Sequence, residues 1–376
     1  MNTFAGIIDS TLREGEQAPG VRFSRQQRTA LVRTLARIGV EEIELGIAAP
    51  GYNHLPDLVS EARQLAGERC RLGLWSRCRP EDIRFAARCR PDVLSLSVPV
   101  SDLHISQRLQ KDRAWVRETV AASIRQALDL GIPRVAAGLE DGSRADPEFL
   151  VQVAGIAEQA GAFRVRLADT VGICSPAAIT ALVRRLGNSV RIAIGVHCHN
   201  DFGMATANSV AALEAGADWL DATVLGIGER AGNCRLEEVI GFLALQRDCS
   251  RYRTDLLPGL CRRVAAAAGM TIAGNHPLVG SSLFTCETGL HQHGLAVNPM
   301  TYEPYDPCRV GARRQLLFGL KTGTRAIHLQ LARRGVNLSE QQLRRLVSSV
   351  RALGESVDEE QLLRLACRQA ELPPPC

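Results

Sequence analysis

Short apolar runs alternate along this chain with longer stretches in which apolar residues recur at helical spacing. Runs of the first kind read as buried strands and the stretches as amphipathic helices. The pattern predicts strands over Gly6–Asp9, Glu42–Gly46, Arg71–Trp75, Val93–Val98, Arg134–Leu139, Arg164–Ala168, Arg191–Val196 and Trp219–Leu225. After each comes a predicted helix, over Arg25–Ile38, Leu55–Leu65, Pro80–Arg88, Asp112–Leu130, Pro147–Ala160, Pro176–Leu186, Met204–Ala215 and Leu236–Gln246. Ser24, Asp146-Pro147 and Ser175-Pro176 supply helix starts, while Gly39, Gly131, Gly161 and Gly216 supply stops. Eight such units in about 245 residues point to a (β/α)₈ TIM barrel. A doubly wound open sheet is the alternative, but no G-x-G-x-x-G follows the first strand.

Beyond the barrel, Leu256–Gly269 reads as one more helix, and residues 275–307 are rich in Gly, Pro and His, as suits a lid or linker. Arg313–Arg334 and Leu343–Ala370 read as helices, before the disordered-looking tail Leu372-Pro-Pro-Pro-Cys376. The expected organisation is a barrel over residues 1–250, a lid and linker over 251–310, and a small helical domain over 311–376.

Composition narrows the chemistry. The net charge of +5 comes almost wholly from arginine, since Lys111 and Lys321 are the only lysines. Those arginines are scattered over helical faces with little aromatic interleaving, which argues against nucleic-acid binding. No lysine stands at a strand end to form a Schiff base, and no Gly-Lys-Ser/Thr supplies a phosphate loop. The 12 cysteines occur singly, with no C-x-x-C pair, and read as reduced structural thiols. The chain enters a strand at once, leaving no room for a targeting peptide, and no window reaches transmembrane length without charge. A cytoplasmic protein is expected.

If the barrel is right, function sits at the strand C-termini. The seventh strand ends in Val196-His197-Cys198-His199-Asn200-Asp201. Side chains two apart in a strand share a face, so His197 and His199 converge while Cys198 points away. Two readings stand at this point: a pair of hydrogen-bonded histidines, or a metal half-site that needs a carboxylate to complete it. Other strand ends carry Arg13-Glu14, Ser76-Arg77, Glu140-Asp141, Asp169-Thr170 and Glu229-Arg230. Charges gathered at one end of an apolar barrel are costly unless paired or ligated. Ser175 and Asp201 read as helix caps; together the others look like a polar mouth built around a cation.

Three long motifs, D-S-T-L-R-E-G-E-Q over 9–17, H-C-H-N-D-F-G-M-A over 197–205 and G-I-G-E-R-A-G-N over 226–233, resemble the acyltransferase branch of the metallolyase-type TIM barrels. That branch holds the homocitrate, 2-isopropylmalate and citramalate synthases. The likeness continues through E-T-G-L-H-Q-H-G over 287–294 and T-Y-E-P-Y-D-P over 301–307. With Lys111–Trp115 and Glu140–Asp146, the chain looks most like the homocitrate synthases associated with nitrogen fixation; it is shorter than isopropylmalate synthases that carry a regulatory domain. The resemblance implies Glu14, His197 and His199 as ligands of a divalent metal (zinc, manganese, magnesium, iron or cobalt), with Asn233 as a further ligand. It implies Arg13 as the group that meets developing oxyanion charge, and His291 and Tyr302 as catalytic residues reaching the site from the partner subunit of a homodimer. Glu229 would support or orient them. Acetyl-CoA would be condensed with a 2-oxo acid, neither nucleic acid nor membrane being a partner. A lyase or aldolase using the same metal, and a non-catalytic barrel, are the rival readings.

One departure concerns the acceptor. Homocitrate synthases of the lysine pathway carry a strand-five arginine for 2-oxoglutarate in a run like R-F-S-x-E-D, whereas this chain has Ala136-Ala137-Gly138-Leu139-Glu140-Asp141. An unpaired carboxylate in a dry pocket costs several kcal/mol. Arg77 is the expected replacement, with a planar fork suited to a carboxylate, and Thr170 is expected at the acceptor's near end. An apolar pocket for 2-oxoisovalerate, built on Ala136 and Leu139, is the competing outcome.

Overall fold

The structure, a computed structural model, describes residues 4–370; the expected tail lies outside them. Contacts divide the chain into two units, Met1–Thr271 and Ile272–Cys376. In the first, strands and helices alternate as β1 Gly6–Asp9, α1 Arg25–Ile38, β2 Glu42–Ile47, α2 Leu55–Ala66, β3 Arg71–Arg77, α3 Pro80–Cys89, β4 Val93–Pro99, α4 Arg113–Asp129, β5 Val135–Glu140, α5 Pro147–Gln159, β6 Arg164–Asp169, α6 Pro176–Gly187, β7 Ala193–Cys198, α7 Ala205–Glu214, β8 Trp219–Ala222 and α8 Leu236–Gly241. The eight strands close into a parallel barrel, β1 pairing with both β2 and β8.

The punctuation marks act as expected. Ser24 forms a capping box with Gln27 at the start of α1, Asp146 accepts from Phe149 N, and Ser175 accepts from Ala178 N. Gly39, Gly131, Gly161 and Gly216 all take positive φ, which a side chain would resist. The eighth strand is shorter than predicted. It stops at Ala222, and Leu225 sits at φ 58 in a following turn. The helix α9, Leu257–Ala268, buries Leu257, Leu260, Cys261 and Val264 and belongs with the barrel unit, although it lies past the boundary expected at residue 250.

Alternate residues of the strands face the axis, and here they are not the branched apolar residues usual in such barrels. Glu42 and Glu44 on β2 meet Arg164 and Arg166 on β6. These strands lie opposite one another in the ring, so the pairs form across the axis. Arg164 gives Glu42 two bonds of 3.2 and 2.8 Å with both side chains essentially sealed from solvent. Gly73 and Gly195 border this pair: a Cβ at Gly73 would stand 3.4 Å from Glu42 Oε1 and one at Gly195 would stand 3.5 Å from Arg164 Cδ, both ordinary contact distances. The Arg164 guanidinium also lies 4.8 Å from the Trp219 ring centroid.

The second unit has its own core of Phe318, Ile327, Leu331, Leu346, Val350 and Leu362 with their neighbours. It contains β9 Thr285–Cys286, α10 Gly289–Val297, β10 Gln315–Leu316, α11 Thr324–Arg333, α12 Glu340–Ala352 and α13 Glu359–Gln369. Two helix expectations need correction. Residues 313–323 are not helical, because Gln315–Leu316 pairs with Thr285–Cys286 and the glycines at 319 and 323 follow. The stretch from Leu343 to Ala370 is two helices, interrupted at Gly354 (φ 72) and restarted by a capping box of Asp358 with Gln361. Among the described residues no helix is long and apolar enough to cross a membrane, and the cysteines are free thiols.

The axial pairs generate the first prediction. Arg164→Met should destabilise the fold by about 3–5 kcal/mol in urea unfolding, because it strands the buried Glu42 carboxylate. Adding Glu42→Leu should restore most of that loss. A single-variant cost below about 1 kcal/mol would mean that water reaches Glu42.

Candidate active site

The first motif folds as a tight turn after β1. Asp9 accepts from Thr11 N (3.1 Å) and Thr11 Oγ1 (2.8 Å), and Thr11 Oγ1 in turn accepts from Val224 N. The amides of Arg13 and Glu14 bond back to Ser10 O. This turn is thereby fastened to the end of β8, and it aims Arg13 and Glu14 over the barrel mouth. Burial pushes the Asp9 carboxyl up to about 7.

His197 and His199 share a face of β7 and its continuation, as their spacing requires, with rings 4.9 Å apart. Ligand atoms of Glu14, His197 and His199 lie within 4.8 Å of one another, all three residues being buried. Each imidazole is held from behind at Nδ1: His197 by Asp221 Oδ2 at 3.0 Å, His199 by the Asp169 carbonyl at 3.3 Å. Both acceptors call for a proton on Nδ1, which leaves Nε2 of each ring with its lone pair free. Burial lowers the pKa of both rings, with Arg166 and Arg13 adding to the effect at His197 and His197 adding to it at His199, which falls to about 3. They are neutral, the form in which an imidazole can ligate a metal.

Glu14 Oε2, His199 Nε2 and Asn233 Oδ1 are buried without a hydrogen-bond partner. Orphaned acceptors gathered in one sealed place are costly unless something binds them. A carboxylate, imidazole nitrogens and an amide oxygen are a donor set for a divalent cation. Asn233 is brought beside His199 because the loop before it folds back. His199 and Asn233 form an isolated antiparallel bridge, and Asn233 Nδ2 donates to Ile227 O at 3.0 Å. Gly232 sits at φ 82 where a Cβ would overlap the Gly226 carbonyl, which accounts for the last glycine of G-I-G-E-R-A-G-N.

Arg13 is 4 % exposed, donates from Nε to Glu44 Oε2 at 2.5 Å, contacts Glu14, and lies 5.7 Å from the Trp75 ring centroid. Burial lowers its pKa against the pull of Glu44. It stays a cation. Thr170 Oγ1 accepts from Asp141 N at 2.8 Å, so its own hydrogen is left for another acceptor.

Other expected residues are placed differently. Arg77 is bound through Nε and Nη2 to the buried Asp82, at 2.6 and 3.1 Å, leaving Nη1. Glu229 is exposed, its charge 3.9 Å from Arg230, and the structure does not bring it to the histidines. Asp201 is not a helix cap: it takes a bidentate bond from Arg230, while Asn200 Oδ1 accepts from Ala205 N. His291 and Tyr302 belong to the second unit, where their rings lie 4.0 Å apart. Leu139 pairs in register with Val98 and Leu167, on the face opposite Ala136, so the two do not line one pocket.

Sequence reasoning missed Glu44, Arg166 and Asp221. Arg166 Nη1 lies 3.3 Å from Glu44 Oε1 and 2.8 Å from Asp221 Oδ2. The available signal was a charge at every second position of two apolar strands, Glu42-Ile-Glu44 and Arg164-Val-Arg166.

Residues 5–258 match the HMGL-like family, and residues 278–358 match the homocitrate synthase post-HMGL domain-like family. The homocitrate synthase of Frankia alni is 40% identical over 338 residues, 88% of this chain and 93% of that protein. A 2-isopropylmalate synthase of Caldanaerobacter subterraneus is 36% identical, over 92% of this chain and 90% of that one. Among solved structures, an HMG-CoA lyase of Bacillus subtilis has the same barrel fold at 17% identity, with a TM-score of 0.64 over 72% of this chain and 96% of that one. Sequence over nearly the whole chain and fold over the barrel agree: the chain belongs to the HMGL-like family, in the transferase branch that adds the homocitrate synthase post-HMGL domain.

Proposed function

We propose that this protein condenses acetyl-CoA with 2-oxoglutarate, giving homocitrate and free CoA. The observation that carries the condensation is the buried convergence of Glu14, His197 and His199 beside Arg13. A divalent ion held by Glu14, His197, His199 and Asn233 would supply Lewis acidity to the acceptor's carbonyl. Arg13, fixed by Glu44 and Trp75, meets negative charge as it develops on that oxygen. Thr170 donates its free hydroxyl hydrogen to the acceptor's near carboxylate. His291 takes the proton from the acetyl methyl, with Tyr302 packed on its ring, and serves the barrel of a partner subunit. A carbon–carbon bond forms between that methyl carbon and the acceptor's carbonyl carbon, the carbonyl oxygen is protonated, and water releases CoA from the thioester.

The choice of 2-oxoglutarate as acceptor is supported by the wall near Trp75. A cavity of about 450 Å³ opens beside Trp75, whose ring also packs on Arg13, and its lining includes Arg77, Arg79, Arg108, Lys111 and Glu140. Glu140 is matched by Arg108 at 2.7 Å, which leaves an excess of positive charge. Asp82 fixes the Arg77 fork with Nη1 left over, an arrangement suited to a distal carboxylate. Ala136 and Leu139 do not make an apolar alternative, since they face opposite ways. Relatives named for homocitrate support this reading; relatives named for isopropylmalate make the acceptor the point to test. The likeness of Lys111–Trp115 and Glu140–Asp146 to the nitrogen-fixation enzymes supports a role in that process.

Three outcomes follow. His197→Ala or His199→Ala should remove metal and activity together, and Glu14→Gln should weaken metal less while still suppressing turnover, read by elemental analysis and CoA release. Unchanged metal in both histidine variants would sink the site. In a CoA-release assay over a panel of 2-oxo acids, 2-oxoglutarate should be preferred. Arg77→Ala should cut its use at least ~10-fold and spare short uncharged acceptors, a charge-assisted bond being worth more than about 1.4 kcal/mol. A preference for 2-oxoisovalerate would make this an isopropylmalate synthase. Finally, mixing inactive Arg13→Ala and His291→Ala proteins should restore part of the activity through subunit exchange. No recovery after verified exchange would place His291 in the same chain as the barrel it serves.

A further inference from the structure

The contacts around the site close on themselves. Glu14 touches Arg13, Arg13 binds Glu44 at 2.5 Å, and Glu44 faces Arg166 at 3.3 Å. Arg166 then holds Asp221 at 2.8 Å, Asp221 holds His197 Nδ1 at 3.0 Å, and His197 Nε2 returns to Glu14 at 3.7 Å. Acidic and basic groups alternate around this ring, and every side chain in it is at most 7% exposed. Arg166 and Asp221 are members of this ring but not among the groups that would meet a cation.

We propose that Arg166 and Asp221 are positioning residues that make His197 a ligand. A single oxygen, Asp221 Oδ2, faces both the guanidinium and the imidazole Nδ1. Because arginine only donates, Arg166 keeps that oxygen an acceptor, and the acceptor fixes the ring proton on Nδ1. Nε2 is then left bare toward Glu14. Through Glu44 the same Arg166 bears on Arg13, so one cation sets both a metal ligand and the oxyanion group. His199 has no such support, its Nδ1 facing a backbone carbonyl at 3.3 Å. A carboxylate backed by a cation is the stronger brace.

The inference rests on the proposed metal site, and the experiment keeps the two apart. Full-length chain is labelled with ¹⁵N-histidine, stripped of metal, and the tautomer of His197 is read by NMR. The proton should be found on Nδ1 alone; a proton on Nε2 overturns the proposal whether or not metal binds. Zinc affinity is then measured by competition with a chromophoric chelator for Asp221→Asn, and for the double variant Arg166→Met with Asp221→Leu. The double change replaces a buried ion pair by apolar groups, an exchange that is often neutral for stability. Both variants should fold and bind zinc at least ~10-fold more weakly than the wild type, within the range typical of supporting partners of metal ligands. Affinity within about threefold of wild type in either folded variant would make the pair merely structural. Should neither variant fold, the wild-type tautomer decides. Failure of the wild type itself to take up zinc would count against the metal site, leaving the tautomer as the separate reading of the relay.

Discussion

Charge buried on the barrel axis must be neutralised within the barrel, and most of this structure can be read as the solution to that constraint. Three arginines and four carboxylates lie there essentially out of solvent. Arg164 and Glu42 close one pair in the interior. The remaining charges, with His197, form the ring that bears Arg13 and the ligands. A barrel filled with leucine and valine would be easier to stabilise, but it could not hold a guanidinium and a neutral imidazole in fixed orientation beneath the candidate cation site.

How much of this could be read from the chain depended on the distance over which a signal acts. Strand and helix periods, proline and serine starts and glycine stops are local, and they located the barrel elements to within a few residues. The His-x-His spacing is local as well, and it placed both imidazoles correctly on one face. By contrast, Glu42 and Arg164, and likewise Glu44 and Arg166, are 122 residues apart in sequence. Which charges meet across a barrel depends on closure and register, and a linear reading has no access to either. The fate of Arg77 was hidden for a different reason: Asp82, five residues on at the start of α3, took two of its donors.

The second unit shows the limit of helical periodicity. Leu316, Leu317 and Phe318 lie in an apolar run that fits a helix as well as a strand. The choice was made by Thr285–Cys286, some thirty residues earlier, which pairs with Gln315–Leu316. Further on, Ser339 and Asp358 start α12 and α13 with complete capping boxes. Both boxes were present in the sequence as S-x-x-Q and D-x-x-Q, and the second, with Gly354 ahead of it, marks where the single predicted helix divides.

The two parts of the mouth obey different rules, and this bears on how one scaffold could serve several acceptors. The ring around Arg13 is closed: removing any member strands a neighbour's charge in the interior, so its residues are mutually dependent. The wall beside Trp75 is open. Arg79, Arg108 and Lys111 are exposed residues whose charges solvent can screen, so each can be exchanged at little cost to the fold, whereas Arg77 also holds the buried Asp82. A charge lost there changes the lining of the cavity without disturbing the buried ring. If this cavity reads the far end of the 2-oxo acid, as proposed, specificity there would drift while the condensation machinery stays fixed. Under the proposed function, the missing strand-five arginine would move acceptor recognition to another part of the mouth and leave the chemistry in place.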